Sequence, residues 1–213
     1  MSPPAGAFHL RSHLTIERQR TIVDRCRALI DGDVPAYVPT VRGGGRMHVR
    51  MLCLGRHWNG QTYRYEPTRS DFDQALAPPL PAELRDLAAE IAATVGMTLR
   101  ADLCIINYYD AEGRMGLHQD KDESPASVAA GVPVVSISVG DTARFLFGGL
   151  RRRDPIDPVL LQSGDAFVFG GPARLCYHGV SRIVPFTSPP ELCLAGRFNL
   201  TFRQYDLASA NPQ

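Results

Sequence analysis

Two histidines and one aspartate are the side chains of this sequence best suited to hold a reactive metal. His118 and Asp120 lie two positions apart in GLHQDKDE, so both can face the same side of an extended segment. His178 lies in CYHG, in a different part of the chain. Two histidines with one carboxylate make the facial triad of non-haem Fe(II) oxygenases, which leaves coordination positions open for other ligands. A structural zinc site would be closed and would usually use thiolates.

A segment near the C-terminus, GRFNLTFRQ, carries a second set of candidates. Strand alternation places its apolar side chains on one face and Arg197, Asn199, Thr201 and Arg203 on the other. Such a polar face could simply be solvated. Inside a β-barrel that encloses a metal, however, a buried arginine needs an anionic partner, and a guanidinium–carboxylate contact is the strong form. A dicarboxylate such as 2-oxoglutarate fits, because one end chelates iron and the other offers a carboxylate to an arginine.

Each of these signals is weak on its own. A histidine and an aspartate two positions apart are common by chance, and an isolated histidine such as His178 is most often a partly buried core residue. Asn107 and Tyr109, in CIINYYD, share a face with Ile105 and could donate hydrogen bonds to a ligand or belong to an ordinary strand. The conjunction of the paired ligands, a later strand histidine and the arginine strand favours a metal site that binds a dicarboxylate.

The elements that must position these residues begin with two predicted helices. Apolar positions at helical spacing predict one helix from about Thr15 to Ile30 and another from about Pro81 to Val95, which Gly96 ends. Residues 1–14 have no strong period and look loose. The chain looks extended from Met47 to Leu54.

The chain after Gly96 has the texture of a β protein. Short runs rich in Val, Ile, Phe and Tyr alternate with turn residues, which predicts several short strands in a sandwich or barrel. No Gly-rich phosphate loop opens a helix, which argues against a nucleotide-binding α/β fold. The runs are LCIINYYD, VPVVSISVG, ARFLFGG, DPVLLQSGDAFVFGG, CYHGVSRI and RFNLTFRQ.

Composition narrows the class of protein. The 213 residues, 44% hydrophobic and 21% charged, are typical of a soluble globular domain, and no apolar run approaches the ~20 residues of a membrane span. The N-terminus lacks the pattern of a secretory signal. Five cysteines without a CxxC pair argue against a disulfide framework and against a zinc knuckle, and four of them sit in apolar runs that predict core positions. We expect a cytoplasmic location, no membrane contact and a monomer.

The net charge of +1 is far below that of a dedicated duplex-DNA binder. Any contact with nucleic acid must therefore come from a local patch. The three consecutive arginines Arg151, Arg152 and Arg153 are the best candidate for such a patch.

Seven motifs together resemble the AlkB family of Fe(II)- and 2-oxoglutarate-dependent dioxygenases, and most closely its bacterial alkylation-repair members. They keep their order over roughly residues 47–204, and LHQDKDE with RFNLTFRQ is the most specific pair. The resemblance implies a mainly β fold with flanking helices (α+β), with a double-stranded β-helix (jelly-roll) core behind an N-terminal nucleotide-recognition lid. The motifs are CIINYYD, LHQDKDE, PVVSISVG, FLFGGLRRRDP, SGDAFVFGG, LCYHG and RFNLTFRQ.

The same resemblance implies boundaries and ligand roles. Residues 1–96 would form the N-terminal extension, helices and lid, 97–206 the core and 207–213 a tail, in one compact unit. Fe(II) would bind His118, Asp120 and His178, with O₂ as a further co-substrate. The residues implied for 2-oxoglutarate are Asn107, Tyr109, Arg197, Asn199 and Arg203.

The resemblance also implies a substrate site for a flipped nucleobase. Trp58 would stack on the base opposite His118, Tyr63 would contact phosphate or base, and Asp122 would contact the exocyclic amino group and positive charge of a methylated base. Met47 and Met51 would line the pocket and Arg152 its mouth. On residues alone, core packing is the favoured role of Trp58, and Asp122 could be a solvated loop carboxylate.

The implied activity is oxidative demethylation of 1-methyladenine and 3-methylcytosine in single-stranded DNA, with release of succinate, CO₂ and formaldehyde. RNA or tRNA demethylation by the same family is one alternative. A hydroxylase of proteins or small molecules is another, and a non-catalytic metal-containing binding module is a third. The chain departs from the family pattern at Phe169, where tryptophan is expected, at Phe198, where tyrosine is familiar, and in ESPASVAAGVP, which has no close match.

Overall fold

The computed structural model describes residues 4–207, so most of the predicted tail 207–213 lies outside the described residues. The predicted helices are present with nearly the expected ends. The α-helices are α1 Ile16–Ile30, α2 Ala82–Thr94 and α3 Pro125–Ala129, and the strands are β1 Ala7–Leu10, β2 Arg50–Leu54, β3 His57–Asn59, β4 Arg64–Glu66, β5 Leu103–Tyr109, β6 Met115–His118, β7 Val134–Gly140, β8 Thr142–Phe147, β9 Asp157–Leu161, β10 Ala166–Phe169, β11 His178–Val184 and β12 Arg197–Arg203.

Two antiparallel sheets form the core. The larger sheet has the strand order β1-β10-β7-β12-β5-β2, and the smaller has the order β6-β11-β8-β9. Strands β5 to β12 therefore supply four strands to each sheet, which confirms the predicted double-stranded β-helix. Aromatic side chains from both sheets fill the space between them, including Phe145 and Phe147 of β8 against Phe167 of β10. Strands β3 and β4 form a separate hairpin.

Helices α1 and α2 cover the outer face of the larger sheet. Thr15 caps α1 by accepting a hydrogen bond from the Arg18 backbone N–H, and the helix buries Ile22, Val23, Cys26 and Ile30. The apolar face of β12 joins the same cluster, because Phe198, Leu200 and Phe202 are all at most 1% exposed. Full burial of one such side chain contributes about 1.5–3 kcal/mol. The predicted alternation of this strand is thus confirmed.

The expectation that residues 1–14 are loose was wrong in part. Residues 7–10 form the edge strand β1, which pairs with β10 in the register Ala7 opposite Phe169. His9 Nε2 lies 2.8 Å from Asp165 Oδ2 and strengthens this pairing. A four-residue strand whose partner lies far along the chain leaves no local period, so sequence patterning could not reveal it.

The N-terminal part does not stand apart from the core. Strands β1 and β2 extend the larger sheet at its two edges, and α1 and α2 pack on that sheet. The boundaries predicted at 96 and 206 remain a prediction. Cys26, Cys53, Cys104 and Cys176 are buried, Cys193 is exposed, and all five thiols are free. None of the helices between residues 4 and 207 combines the length and apolar character needed to cross a membrane.

Candidate active site

The three predicted metal ligands meet where β6 and β11 pair. His118 lies directly opposite His178 in the register of these strands, and Asp120 follows β6 by two positions. His118 Nε2 is 3.7 Å from Asp120 Oδ1, and His178 Nε2 is 3.6 Å from Asp120 Oδ2. Ligand atoms of all three residues lie within 4.8 Å of one another. One ion could therefore contact two imidazole nitrogens and a carboxylate oxygen at once.

Both imidazoles are oriented for metal binding by the same kind of contact, a hydrogen bond to a backbone carbonyl. His118 Nδ1 lies 2.9 Å from the Gly116 carbonyl oxygen, and His178 Nδ1 lies 3.0 Å from that of Cys176. A carbonyl can only accept, so each Nδ1 carries the proton and each Nε2 presents a lone pair to the space beside Asp120. Desolvation by the surrounding residues, and then the neighbouring His178, lower the pKa of His118 although 35% of its side chain is exposed to the cavity, which keeps this ligand neutral at pH 7. The donor set fits Fe(II).

A buried network of charges holds Asp120. Arg203 donates through Nη2 to Asp120 Oδ2 at 2.7 Å, and Arg174 donates to the Asp120 backbone carbonyl. Glu123 joins the two arginines, because its Oε2 accepts from Arg174 at 2.8 Å and its Oε1 lies 3.2 Å from Arg203 Nε. Burial would raise the pKa of Asp120, but Arg203 and His178 outweigh it and hold the pKa well below its usual range. The ligand is therefore a carboxylate.

Arg203 and Asn107 retain unused hydrogen-bonding capacity beside the metal site. Arg203 Nη1 and Asn107 Oδ1 are buried and have no hydrogen-bond partner among the described residues. The 3.2 Å contact between Arg203 Nε and Glu123 is an ion pair whose angles do not make a good hydrogen bond. A ligand with its own donors and acceptors would satisfy these atoms.

Arg197 lies at the far end of β12 and is 1% exposed. Its guanidinium donates to the Ser138 hydroxyl at 2.6 Å and to the carbonyls of Asp141 and Leu161 at 3.3 Å, while Nε has no partner among residues 4–207. Burial lowers the pKa of Arg197 to about 10, so the group stays charged at pH 7. These partners are neutral and do not compensate its charge, whereas an anionic ligand would.

The other residues implied for 2-oxoglutarate lie on the same face of the larger sheet. Across β5 and β12, Tyr109 is opposite Arg197 and Asn107 is opposite Asn199. Asn199 donates to Ser136 Oγ at 2.7 Å. Burial raises the pKa of Tyr109, which keeps its phenol protonated.

An open cavity of about 750 Å³ lies over the metal ligands His118 and Asp120. The β3–β4 hairpin, β2 and the segment around residues 41–47 form its outer walls. It reaches Asn107 and Arg203 but not Tyr109, Arg197, Asn199 or His178. The predicted substrate residues on its walls are Met47, Met51, Trp58, Tyr63, Asp122 and Arg152.

Trp58 and Asp122 form a direct contact across this cavity wall. The indole Nε1 donates to Asp122 Oδ2 at 2.8 Å. Burial raises the pKa of Asp122, whereas this hydrogen bond opposes the shift. Tyr63 packs edge-on to the indole with ring centroids 5.7 Å apart, and the Arg42 guanidinium lies 5.2 Å from the Tyr63 ring centre. The wall thus combines a flat aromatic surface with an anionic oxygen.

The three-arginine run lies beside the cavity mouth. Arg151, Arg152 and Arg153 are exposed, and Arg152 donates to the Leu117 carbonyl at 2.7 Å next to the metal ligand His118. Arg152 is the member of the run that lines the cavity.

Sequence reasoning missed several residues of this site. Tyr65 is 7% exposed, lies opposite Trp58 in the hairpin register and lines the cavity. Tyr65 lies two positions after the predicted site residue Tyr63, so alternation with a period of two could have suggested it. Glu123 and Arg174 offered no such signal, because their role depends on contacts with Asp120 and Arg203 from distant parts of the chain.

Comparison with known proteins places the chain among oxygenases. The model of the 2OG-Fe(II) oxygenase superfamily matches residues 6–203. The chain is 41% identical to the DNA N(6)-methyladenine demethylase ALKBH1C of Arabidopsis thaliana, over 94% of this chain and 48% of that protein. It is 39% identical to the alpha-ketoglutarate-dependent dioxygenase AlkB of Escherichia coli K12, over 76% of this chain and 74% of that protein. It spans about half the length of the Arabidopsis relatives it matches.

A solved structure agrees with these sequence matches. The structure of OsALKBH1 superposes with a TM-score of 0.88 at 38% identity, and the match covers 96% of this chain and 98% of that one. The similarity therefore extends over the lid and the core together. By fold, metal-ligand geometry and sequence, this chain belongs to the AlkB family of Fe(II)- and 2-oxoglutarate-dependent dioxygenases, within the 2OG-Fe(II) oxygenase superfamily.

Proposed function

We propose that this protein removes methyl groups from ring nitrogens of nucleobases in single-stranded DNA, with 1-methyladenine and 3-methylcytosine as substrates. It would act in the cytoplasm as a monomer and repair alkylation damage. The observation that carries the proposal is the shared cavity in which Trp58 and Asp122 face the metal ligand His118. When bound, Fe(II) with 2-oxoglutarate and O₂ supplies the oxidising power that hydroxylates the methyl group, after which formaldehyde leaves.

The metal and co-substrate would be held by two groups of residues. His118, Asp120 and His178 would ligate Fe(II). Arg203 contacts Asp120, so it lies at the metal end of the site. Arg197 is six positions away on the same strand, about 20 Å along an extended chain, so both arginines cannot serve one carboxylate. We assign Arg203 to the metal end of 2-oxoglutarate and Arg197 to its distal carboxylate, with Asn107, Tyr109 and Asn199 assisting.

The cavity wall supports recognition of a methylated base. The Trp58 indole offers a π-surface on which any base can stack, a contact worth about 1–3 kcal/mol. Asp122 keeps Oδ1 available while Oδ2 accepts from Trp58, so the carboxylate can accept from an exocyclic amino group. Its negative charge complements the positive charge of 1-methyladenine and 3-methylcytosine. The volume of about 750 Å³ lies within the usual range for ligand pockets.

Selectivity for damage also has a physical basis in the substrate. A base methylated on its pairing edge pairs poorly, so extruding it from a strand costs less than extruding a normal base. Arg42 and Arg152 line the cavity, where they would meet the phosphates on either side of the flipped nucleotide. A protein with a net charge of +1 would then bind the strand through this local patch.

A second candidate substrate is N6-methyladenine, because two relatives at 41% and 38% identity are named DNA N(6)-methyladenine demethylases. That base is neutral and carries its methyl group on the exocyclic nitrogen. The Asp122 carboxylate gains no charge attraction from it, which favours the cationic substrates.

The test compares kcat/KM on matched single-stranded oligonucleotides that carry 1-methyladenine, 3-methylcytosine or N6-methyladenine, with an RNA version of the first. The proposal expects the cationic DNA lesions to be the better substrates. A clear preference for N6-methyladenine would replace the proposed substrate, and a preference for the RNA strand would replace the proposed nucleic acid.

A further inference from the structure

The two neighbours of Trp58 are buried on the opposite side of the β3–β4 hairpin. Strand alternation turns the Trp58 indole toward the cavity and turns His57 and Asn59 away from it. His57 is 0% exposed and Asn59 is 4% exposed, although both are polar. The residues beneath the indole are thus enclosed rather than solvated, and each needs a hydrogen-bond partner.

Asp71 supplies the partner for His57. His57 Nε2 lies 2.6 Å from Asp71 Oδ1, and the other carboxylate oxygen accepts from the Gly60 backbone N–H at 3.1 Å. His57 Nδ1 is buried and has no partner among the described residues, so the single proton of the neutral ring lies on Nε2. Tyr37 Oη, at 3.2 Å from Nε2, is a second acceptor. One carboxylate thus binds the chain on both sides of Trp58.

Asn59 adds a second clamp to the same segment. It donates to Ser70 Oγ at 2.9 Å, and its Oδ1 accepts from the backbone N–H groups of Gln61 and Thr62 at 2.8 and 3.1 Å. The loop that carries Ser70 and Asp71 is itself fixed, because the buried Arg69 donates to the Pro35 carbonyl at 2.6 Å.

The hairpin needs such clamps. Its strands have only three residues each, and a short two-stranded hairpin is at best marginally stable in water. Its position over the cavity must therefore come from contacts to other parts of the chain.

We propose that His57 and Asp71 are positioning residues that hold the Trp58 indole in the orientation that stacks on the nucleobase. They do not touch substrate, metal or 2-oxoglutarate, and they act through the backbone on either side of Trp58. This inference rests on the proposed function, because it takes Trp58 as the stacking surface. The relationship is specific to the lid and leaves the co-substrate site untouched.

Trp58 is the single tryptophan of the chain, so intrinsic fluorescence reports on this one side chain. In Asp71→Ala the emission should shift to longer wavelength and acrylamide should quench it more readily than in the wild type. Asp71→Asn keeps the shape but offers one acceptor for two donors, and His57→Gln keeps a donor of different reach. Both variants should show the same change to a smaller degree. They test the proposal if Asp71→Ala does not fold.

Binding and kinetics separate positioning from a general loss of structure. The KM for a 1-methyladenine oligonucleotide should rise about fivefold or more, which matches loss of about 1 kcal/mol of stacking. The Kd of 2-oxoglutarate in the presence of Mn(II), measured by calorimetry, should stay unchanged. His9→Gln is the matched control, because it breaks another His–Asp contact, partly buried, between β1 and the segment before β10. It should leave Trp58 emission and the oligonucleotide KM at wild-type values.

Unchanged emission, quenching and KM in Asp71→Ala would overturn the inference. So would an equal emission change in His9→Gln, because the effect would then follow general destabilisation. If the wild-type protein demethylates no oligonucleotide, the proposed function fails by itself. The fluorescence of the Asp71 variants would still decide whether this pair positions Trp58.

Discussion

The indole nitrogen of Trp58 donates a hydrogen bond to Asp122 at 2.8 Å, and this contact joins the lid to the loop that carries the metal ligand Asp120. Asp122 lies two positions after Asp120 in the chain, so the proposed stacking surface is connected to this metal ligand through one short segment. This hydrogen bond consequently fixes the position of the lid relative to the core at the place where a base would enter. Substitutions of Trp58 or Asp122 should therefore alter the binding of substrate and leave the binding of 2-oxoglutarate unchanged.

Asp122→Asn should weaken the selection of cationic bases. A hydrogen bond to a charged group is worth about 1.5–3 kcal/mol, so kcat/KM for a 1-methyladenine oligonucleotide should fall about tenfold or more. The loss for N6-methyladenine should be smaller, since that base carries no positive charge. Steady-state rates on the two oligonucleotides measure the ratio. An equal loss of kcat/KM on both oligonucleotides would mean that Asp122 does not distinguish cationic from neutral bases.

The two metal ligands of the LHQDKDE motif should differ in their effect on folding. Asp120→Ala removes the hydrogen-bonded carboxylate partner of the buried Arg203 and leaves it only the Glu123 ion pair among the described residues, which should lower the free energy of unfolding of the metal-free protein by about 3 kcal/mol. His118→Ala removes a side chain that is 35% exposed in the cavity, which should cost less than about 1 kcal/mol. Urea denaturation measures both, and both variants should lose bound iron. Equal destabilisation would contradict the role assigned to the Arg203–Asp120 pair.

Glu123→Gln should weaken the binding of 2-oxoglutarate more than that of the oligonucleotide. The glutamate compensates Arg203 and Arg174 together, so its neutral analogue leaves a buried positive charge and a shifted Arg203. We expect the KM for 2-oxoglutarate to rise at least about tenfold, with the oligonucleotide KM little changed. The exposed Glu112→Gln is the control and should resemble the wild type. A rise in both KM values for Glu123→Gln would indicate a general loss of structure.

The buried His57 should make the stability of the protein depend on pH. Burial lowers its pKa below the ordinary 6.5, against the opposing effect of Asp71, with Arg69 and Glu66 as the other charged neighbours. Between the folded pKa and 6.5 the unfolded chain binds a proton that the folded protein does not. The free energy of unfolding therefore falls as the pH drops below about 6.5, by at most about 1.4 kcal/mol per pH unit from this group.

The His57→Gln variant isolates this contribution. Other histidines titrate in both proteins, so the informative quantity is the difference between the two slopes. Urea denaturation at about pH 7.5 and about pH 5.5 should show a shallower fall for the variant. Parallel slopes would show that His57 takes up its proton equally in the folded and unfolded states.

The sequence was most informative where function and local periodicity coincide. The alternation of β12 correctly separated Arg197 and Arg203 from Phe198 and Phe202, and the spacing of His118 and Asp120 correctly placed them together. These features need only a period of two and a metal's preference for ligands. The AlkB resemblance then supplied the fold, which neither composition nor spacing could specify beyond several short strands.

Contacts between distant segments could not be predicted from local sequence patterns. Edge strand β1, the Glu123–Arg174 ion pair and the His57–Asp71 pair each join residues whose proximity only the folded chain creates. Nothing in the local sequence around His57 indicates that it is buried and paired with a carboxylate. Its burial and its carboxylate partner depend on the loop that carries Asp71, which packs beneath the hairpin.

The most direct test of the central claim is the mass of a single-stranded DNA oligonucleotide carrying one 1-methyladenine after incubation with the protein, Fe(II), ascorbate and 2-oxoglutarate. The account predicts loss of the mass of one methylene group, dependent on 2-oxoglutarate and absent with purified Asp120→Ala. An unchanged oligonucleotide, with a folded and iron-loaded wild-type protein, would contradict it. If 2-oxoglutarate were still consumed, the oxygenase would stand and its substrate would have to be sought elsewhere.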